Sequence, residues 1–335
     1  MAVRGNDAFE SMGGDVTKRP VAVVLGITAD MAFAAANVLL GLERFPPADG
    51  YDVVIFHNGV PAGDLALLAR LRDCHFVAYR CAESIRRNIP AHALRAFSEI
   101  VYAKYECFEL LNRYSRVIWL DTDILIRGDT AELLERGASG AAFAREDKPL
   151  RFNFSRDIEG FDMDRPFFNA GVFALSDALP GRESARDWLL DATVRHADRV
   201  IMGDQGILNL WLQHQRVEPA ELLPEYNVFR HRPGAARARV VHAVGHHKPW
   251  MDFADPQWNA DYVRWLALGG SPCPVWKTVR FMAARHPHPL RHPREIPSRT
   301  VQILRFLLRR RRQARMARVA SRNASAGGVL DAASH

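Results

Sequence analysis

The chain has 335 residues, 48% of them hydrophobic and 25% charged, with a formal net charge of +7. Length and composition suit a soluble globular protein of one large or two ordinary domains. No run approaches the ~20 apolar residues that a helix needs to span a bilayer. Residues 276–335 hold 14 of the 45 lysines and arginines but 2 of the 38 acidic residues, so the tail is net +12 and the rest net −5. The tail, not the body, is what should seek polyanions. Cys74, Cys81, Cys107 and Cys273 lack the spacing of a metal site and suggest no disulfide framework. Residues 1–19 carry no apolar signal-like run and are expected to form a disordered leader, which makes a reducing cytoplasm the expected setting.

"RPVAVVLGITAD" reads as a buried strand ending near Thr28, and "MAFAAANVLLGLERF" as an Ala/Leu-rich helix stopped by Pro46-Pro47. "YDVVIFHNGV" is a second strand with an Asn-Gly turn after it, followed by an amphipathic helix, "AGDLALLARLRD". "CHFVAYR" is a third strand, "AHALRAFSEIVYAKYECFELLNRY" a long helix, and "RVIWLDTDILI" a fourth strand. Strand and helix alternate at βαβ spacing, so the expected class is α/β with a mostly parallel sheet. Beyond residue 130 the pattern is less regular. "FFNAGVFALS" and "ARVVHAVG" read as strands, and "ESARDWLLDATVRHAD" and "DQGILNLWLQHQ" as helices. Residues 20–271 are expected to form the main domain. From Pro272 prolines and histidines cluster, then "TVQILRFLLRRRRQARMARVA" reads as a helix, and the small-residue end "SRNASAGGVLDAASH" as disordered.

Four stretches can carry chemistry. Asp121-Thr122-Asp123 interrupts an otherwise apolar strand. In a strand, residues i and i+2 share a face about 7 Å apart, so both carboxylates could converge on Mg²⁺ or Mn²⁺ bridging substrate phosphates. The plainer alternative is a polar turn between two strands. In "VVHAVGHHKPW", His242 ends a strand and would suit a transition-type divalent ion, while Lys248 could neutralise a diphosphate. A satisfied strand-end histidine is the competing reading, and a zinc site of His242, His246 and His247 matches no zinc spacing. "PFFNAGVFALS" offers Asn169 for sugar hydroxyls and Gly171 for a close backbone approach. "MGDQGILNLWL" places Asp204 and Gln205 at a helix start, where Asp204 is also an ordinary N-cap candidate.

In order, the chain carries Thr28 and Asp30 at a strand end, a DxD, an NAGV, a GDQGxLN and an HxxGxxKPW. This series resembles the retaining glycosyltransferases of family 8, including the glycogenin and bacterial lipopolysaccharide galactosyl- and glucosyltransferase branches, over residues 20–265. The resemblance implies a GT-A fold, a Rossmann-like mixed sheet flanked by helices. It implies that Asp121, Asp123 and His242 hold Mn²⁺, with Mg²⁺ as the substitute, against the diphosphate of UDP-glucose or UDP-galactose. It assigns Lys248 and Gly245 to the diphosphate, Lys104 to the donor, and Thr28 and Asp30 to the uracil cradle, with Phe33 where relatives stack a tyrosine. Relatives commonly carry Asn before that aromatic, where this chain has Ala32. Asn169, Asp204 and Gln205 correspond to sugar-facing positions, the last two being the catalytic candidates.

The expected reaction transfers a hexose, with retention, to a saccharide such as lipopolysaccharide or another surface glycan. The alternatives are a glycogenin-like self-glucosylating protein and a non-catalytic sugar-nucleotide-binding membrane adaptor. A nucleotidyltransferase would carry a Gly-rich basic loop after the first strand, which "GITADMAFAAA" lacks. In the tail, an apolar cluster beside Arg309–Arg312 suits an anionic bilayer surface. Residues 272–335 are therefore expected to be partly helical and to hold the protein peripherally at the inner face of a membrane. Nucleic-acid binding is disfavoured by the acidic body.

Overall fold

The computed structural model describes residues 18–89, 98–230, 232–244, 248–252, 255–274 and 296–331. A seven-stranded sheet runs in the order β3-β2-β1-β4-β7-β6-β8. Its strands are β1 (Arg19–Ile27), β2 (Asp52–His57), β3 (His75–Ala78), β4 (Tyr114–Leu120), β6 (Ala141–Pro149), β7 (Pro166–Ser176) and β8 (Ala220–Glu221). β3, β2, β1 and β4 are mutually parallel, whereas β7 runs antiparallel to both β4 and β6. A second, three-stranded sheet joins β5 (Ile124–Ile126), β10 (Val240–His242) and β9 (Val228–Phe229).

The apolar runs become strands because both faces of the sheet are covered. Val21, Val23 and Leu25 of β1 enter one core, while Ala22 and Val24 enter the other. β4 alternates the same way, with Ile118 and Leu120 on one side and Val117 and Trp119 on the other. On the first side lie α1 (Ala32–Arg44), α2 (Ala62–Leu71), α5 (Ala131–Gly137) and α9 (Pro256–Ala267). On the second lie α3 (Glu83–Asn88), α4 (Glu106–Leu110), α6 (Arg182–Arg195) and α7 (Gly203–His214). A short α8 (Pro249–Asp252) precedes α9. All four cysteines are free.

The long helix expected before the fourth strand is instead broken. Within the described part, a 3₁₀ turn over Glu99–Tyr105 hands over to the five-residue α4. β-branched and aromatic residues (Ile100, Val101, Tyr102, Tyr105) favour regular helix weakly, and burial of this segment decides its path.

The C-terminal helix α10 (Ile296–Asp331) is longer than its sequence suggests, continuing through the small-residue stretch. It docks on α9. Phe306 is 2% exposed, and Gln313 Nε2 donates to Asn259 Oδ1 at 2.6 Å. Among the described residues no helix is long and apolar enough to cross a membrane.

Candidate functional site

The Asp121-Thr122-Asp123 segment is the seam between the two sheets. β4 stops at Leu120 and β5 begins at Ile124, so the carboxylates do not share the face of a continuous strand. They sit in the polar turn that was the plainer expectation, yet they still converge. The Asp121 N–H donates to the Gly171 carbonyl at 2.8 Å, and the Ala243 N–H donates to the Asp123 carbonyl at 3.0 Å. β10 pairs with β5 so that His242 lies opposite Ile124. Ligand atoms of Asp121, Asp123 and His242 consequently lie within 4.8 Å of one another.

A chain of hydrogen bonds fixes which imidazole nitrogen faces the acids. The Gly171 N–H can only donate, and it does so to Asn169 Oδ1 at 2.9 Å. The Asn227 group facing that same oxygen, at 2.9 Å, must then be its NH₂. The other Asn227 atom, Oδ1, faces His242 Nδ1 at 2.6 Å, so Nδ1 carries the proton. Nε2 is left to point at two carboxylates, 3.2 Å from Asp123 Oδ1 and 3.7 Å from Asp121 Oδ2. A lone pair facing two anions needs a cation or a proton between them, so this donor set fits a divalent ion.

Two lysines balance the acids. Lys104 is 5% exposed, and its Nζ lies 2.8 Å from Asp204 Oδ2 and 3.2 Å from Asp121 Oδ1. Burial works against the ammonium, but the two carboxylates outweigh it and hold its pKa above the usual lysine value. Asp204 lies above the ordinary carboxylate range, because burial outweighs the pull of Lys104 and Asp121 adds to it. One ammonium serves two acids, so Asp204, the deeper one, is the less compensated. It is not the N-cap of α7; that position is Met202, with no side-chain cap. Lys248 Nζ donates to Asp123 Oδ2 and, at 3.0 Å, to the Ala243 carbonyl. Burial opposes ionisation of Asp123, but Lys248 and His242 outweigh it and hold its carboxyl well below the usual range.

Gln205 is aimed by the protein. Its Oε1 accepts from the Ala170 N–H at 3.2 Å, and its Nε2 donates to Asn153 Oδ1 at 2.9 Å. Asn209 clamps α7 to β7, accepting from the Phe168 N–H at 2.7 Å and donating to the Phe168 carbonyl at 2.8 Å. Gly206 lets α7 approach the Asn153–Phe154 segment, since a Cβ there would meet Phe154 Cζ at 2.8 Å.

Thr28 Oγ1 donates to Asp30 Oδ1 at 2.8 Å just beyond β1, at the same carboxyl edge as the seam. Phe33 does not fit the stacking position expected of it. It is 1% exposed in the core, edge-on to Trp250 with ring centroids 5.6 Å apart. Ala34, Ala35 and Ala36, all buried, turn this segment into a core helix that takes Phe33 inward. Asn169 has its side-chain carbonyl oxygen spent inside the protein, on the Gly171 N–H and the Asn227 NH₂. Gly171 makes room for His242 and not for an external ligand, because a Cβ would lie 2.1 Å from His242 Cε1. Gly245 lies outside the described residues. Sequence reasoning missed Asn227, Asn153 and Asn209. Of these, Asn227 has a weak local signal, its left-handed φ of 58°, which asparagine tolerates better than most residues.

Residues 22–254 match the pattern that defines "Glycosyl transferase family 8". The chain belongs to glycosyltransferase family 8. Among family relatives, glycosyltransferase GlyE of Streptococcus pneumoniae is 25% identical over 220 residues, covering 59% of this chain and 48% of that protein. The lipopolysaccharide 1,2-glucosyltransferase of Escherichia coli K12 is 22% identical over 259 residues, 72% of each chain. The first curated relatives are matched over half their length or less. The solved structure of the galactosyltransferase LgtC, in complex with donor and acceptor sugar analogs, superposes with a TM-score of 0.59 over 76% of this chain and 99% of that one. At 17% identity that likeness is one of fold, and the fold is GT-A.

Proposed function

We propose that the protein transfers a hexose, with retention, from UDP-glucose or UDP-galactose to a saccharide acceptor, lipopolysaccharide or another surface glycan. The observation that carries this reading is the convergence of Asp121, Asp123 and a tautomer-fixed His242 beside Lys104–Asp204 and Lys248 at the carboxyl edge of the sheet. Asp121, Asp123 and His242 would hold Mn²⁺ or Mg²⁺, which when bound supplies Lewis-acid stabilisation of the departing diphosphate. Lys248, freed from Asp123, would meet the diphosphate with its ammonium as negative charge builds there. Thr28 and Asp30 would cradle the uracil, and Gly245 would give backbone contact to the diphosphate.

Asp204 is engaged by Lys104, which argues against its acting as a free nucleophile. Same-face attack is therefore favoured. The bond between the anomeric carbon and the diphosphate oxygen breaks, the acceptor oxygen bonds to that carbon on the same face, and the acceptor proton passes to the diphosphate oxygen. Gln205, held by Asn153 and Ala170, and Asp204 would stabilise the cationic sugar between the two events.

The self-glucosylating alternative loses support, because it needs a tyrosine acceptor. All seven tyrosines are buried, at most 7% exposed. We further infer that α10 rests on an anionic membrane surface. Its outward side mixes arginines with exposed Leu304, Leu307, Leu308, Met316 and Val319. The test of transfer is UDP release from a panel of UDP-sugars with and without Mn²⁺. Metal-dependent release from one hexose donor, abolished by Asp121→Ala, is expected. No release from any UDP-hexose in the presence of a glycan extract would overturn the reading.

A further inference from the structure

The cleft between α9 and α10 is far from spent by the packing of the two helices. It encloses about 620 Å³, within the range of small-molecule sites. Its lining divides into two chemistries. Arg310, Arg318 and Arg322 bring three guanidinium groups, and among the described residues no carboxylate lines the cleft. Among the described residues no carboxylate pairs with these three arginines, and Arg310 lies over the Phe306 ring, 5.7 Å from its centroid. Against them stand apolar walls, Leu266 and Ala267 from α9 and Ala314 and Ala317 from α10.

Two buried polar atoms sharpen the reading. Arg310 Nη1 has no acceptor, and Gln313 Oε1 has no donor, although Gln313 is 2% exposed and its other amide atom is bonded to Asn259. A buried polar group without a partner is unfavourable, so each of these atoms gains from a ligand that meets it. Both belong to residues lining the cleft, so an occupant that brings an anionic acceptor and a hydroxyl or amine donor, together with an apolar portion, matches what the protein leaves open there. A free phosphate satisfies the arginine and leaves the walls bare. A zwitterionic lipid leaves the three-arginine excess uncompensated. The outward apolar residues of α10, with Leu308 62% exposed, set the cleft beside a surface suited to acyl chains.

We propose that this cleft binds the headgroup of an anionic phospholipid. The phosphate would lie on Arg310 with Arg318 and Arg322 at the rim, a headgroup or glycerol hydroxyl would meet Gln313 Oε1, and the first chain methylenes would lie on Leu266 and Ala317. The proposal rests on the reading of α10 as a membrane-facing helix and makes that contact selective instead of merely electrostatic.

The test uses the full-length protein and dihexanoyl-phosphatidylglycerol below its micelle concentration, followed by calorimetry. Dihexanoyl-phosphatidylcholine and inorganic phosphate serve as comparison ligands. Saturable one-to-one binding of the glycerol lipid is expected, at least about tenfold tighter than either comparison ligand and weakened by at least about tenfold in Arg310→Gln. Should Arg310→Gln fold poorly, the rim variant Arg318→Gln/Arg322→Gln is expected to weaken binding as well. A separate variant, Arg311→Gln/Arg312→Gln/Arg315→Gln on the outward side, should lose vesicle binding while keeping the short-chain lipid. Absence of short-chain binding, equal binding of phosphatidylcholine or phosphate, or indifference to Arg310→Gln and the rim variant each overturns the proposal. Failure to bind phosphatidylglycerol vesicles with short-chain binding intact would instead sink the membrane reading alone.

Discussion

The Cβ that Gly171 lacks would lie 2.1 Å from Cε1 of His242 and 2.7 Å from its Nδ1. A strand glycine therefore sets the position of an imidazole seventy-one residues further along the chain. Gly171→Ala should displace the ring from Asp121 and Asp123. The expected outcome is a loss of Mn²⁺ affinity of about 10–100-fold, read by calorimetry, with the circular dichroism spectrum unchanged. Unaltered affinity would show that the ring has another seat.

Asn227 tests the tautomer argument directly. Asn227→Asp presents an oxygen to His242 but can no longer donate to Asn169. Asn227→Leu removes both bonds. We expect Asn227→Leu to lower metal affinity by about 10–100-fold and Asn227→Asp by less. The ring ¹⁵N shifts of His242 distinguish tautomer loss from general disorder.

Lys104 serves two acids, and its removal leaves both exposed to each other in a buried place. Lys104→Met should destabilise the protein by about 3–5 kcal/mol, measured by chemical denaturation. Adding Asp204→Asn should restore part of that stability but none of the turnover. Asp204→Asn alone is expected to lower kcat by about 10²-fold. Near-normal turnover of that single variant would remove Asp204 from the reaction.

Acid stability carries the signature of Asp123. Its folded pKa is depressed below the ordinary value of 3.8, so its stabilising contribution is present above that value and is lost as pH falls through the folded pKa. Metal-free protein should therefore lose stability below about pH 4 more steeply than Asp123→Asn, in urea titrations run at each pH. Parallel slopes would contradict the pairing of Asp123 with Lys248 and His242.

Much of this was legible in the residues, and the exceptions have physical causes. β1, β2 and β7 announced themselves because strands covered on both faces are apolar throughout. The acidic pair was visible, but a period-two reading held it on one strand face when the chain in fact changes sheets there. The residues still meet, because backbone bonds to Gly171 and Ala243 pin each end of the turn. Asn153, Asn209 and Asn227 were illegible: an amide that orients another side chain leaves no spacing pattern. Phe33 was misassigned because a helix position and a stacking position look alike until the rotation of the helix is known. The small residues near the C-terminus read as disorder, since composition does not report that Phe306 docks the helix on α9.

One contact at the seam can be listened to with light. Trp119, 2% exposed, donates its indole N–H to Asp121 Oδ1 at 2.7 Å, and Lys104 Nζ sits 5.5 Å from its ring. Any change of charge at that carboxylate alters the field across the indole. The protein thus carries its own optical gauge of the acidic turn, wired by a single hydrogen bond. The difference in emission between wild type and Trp119→Phe would follow occupancy of the site without a label.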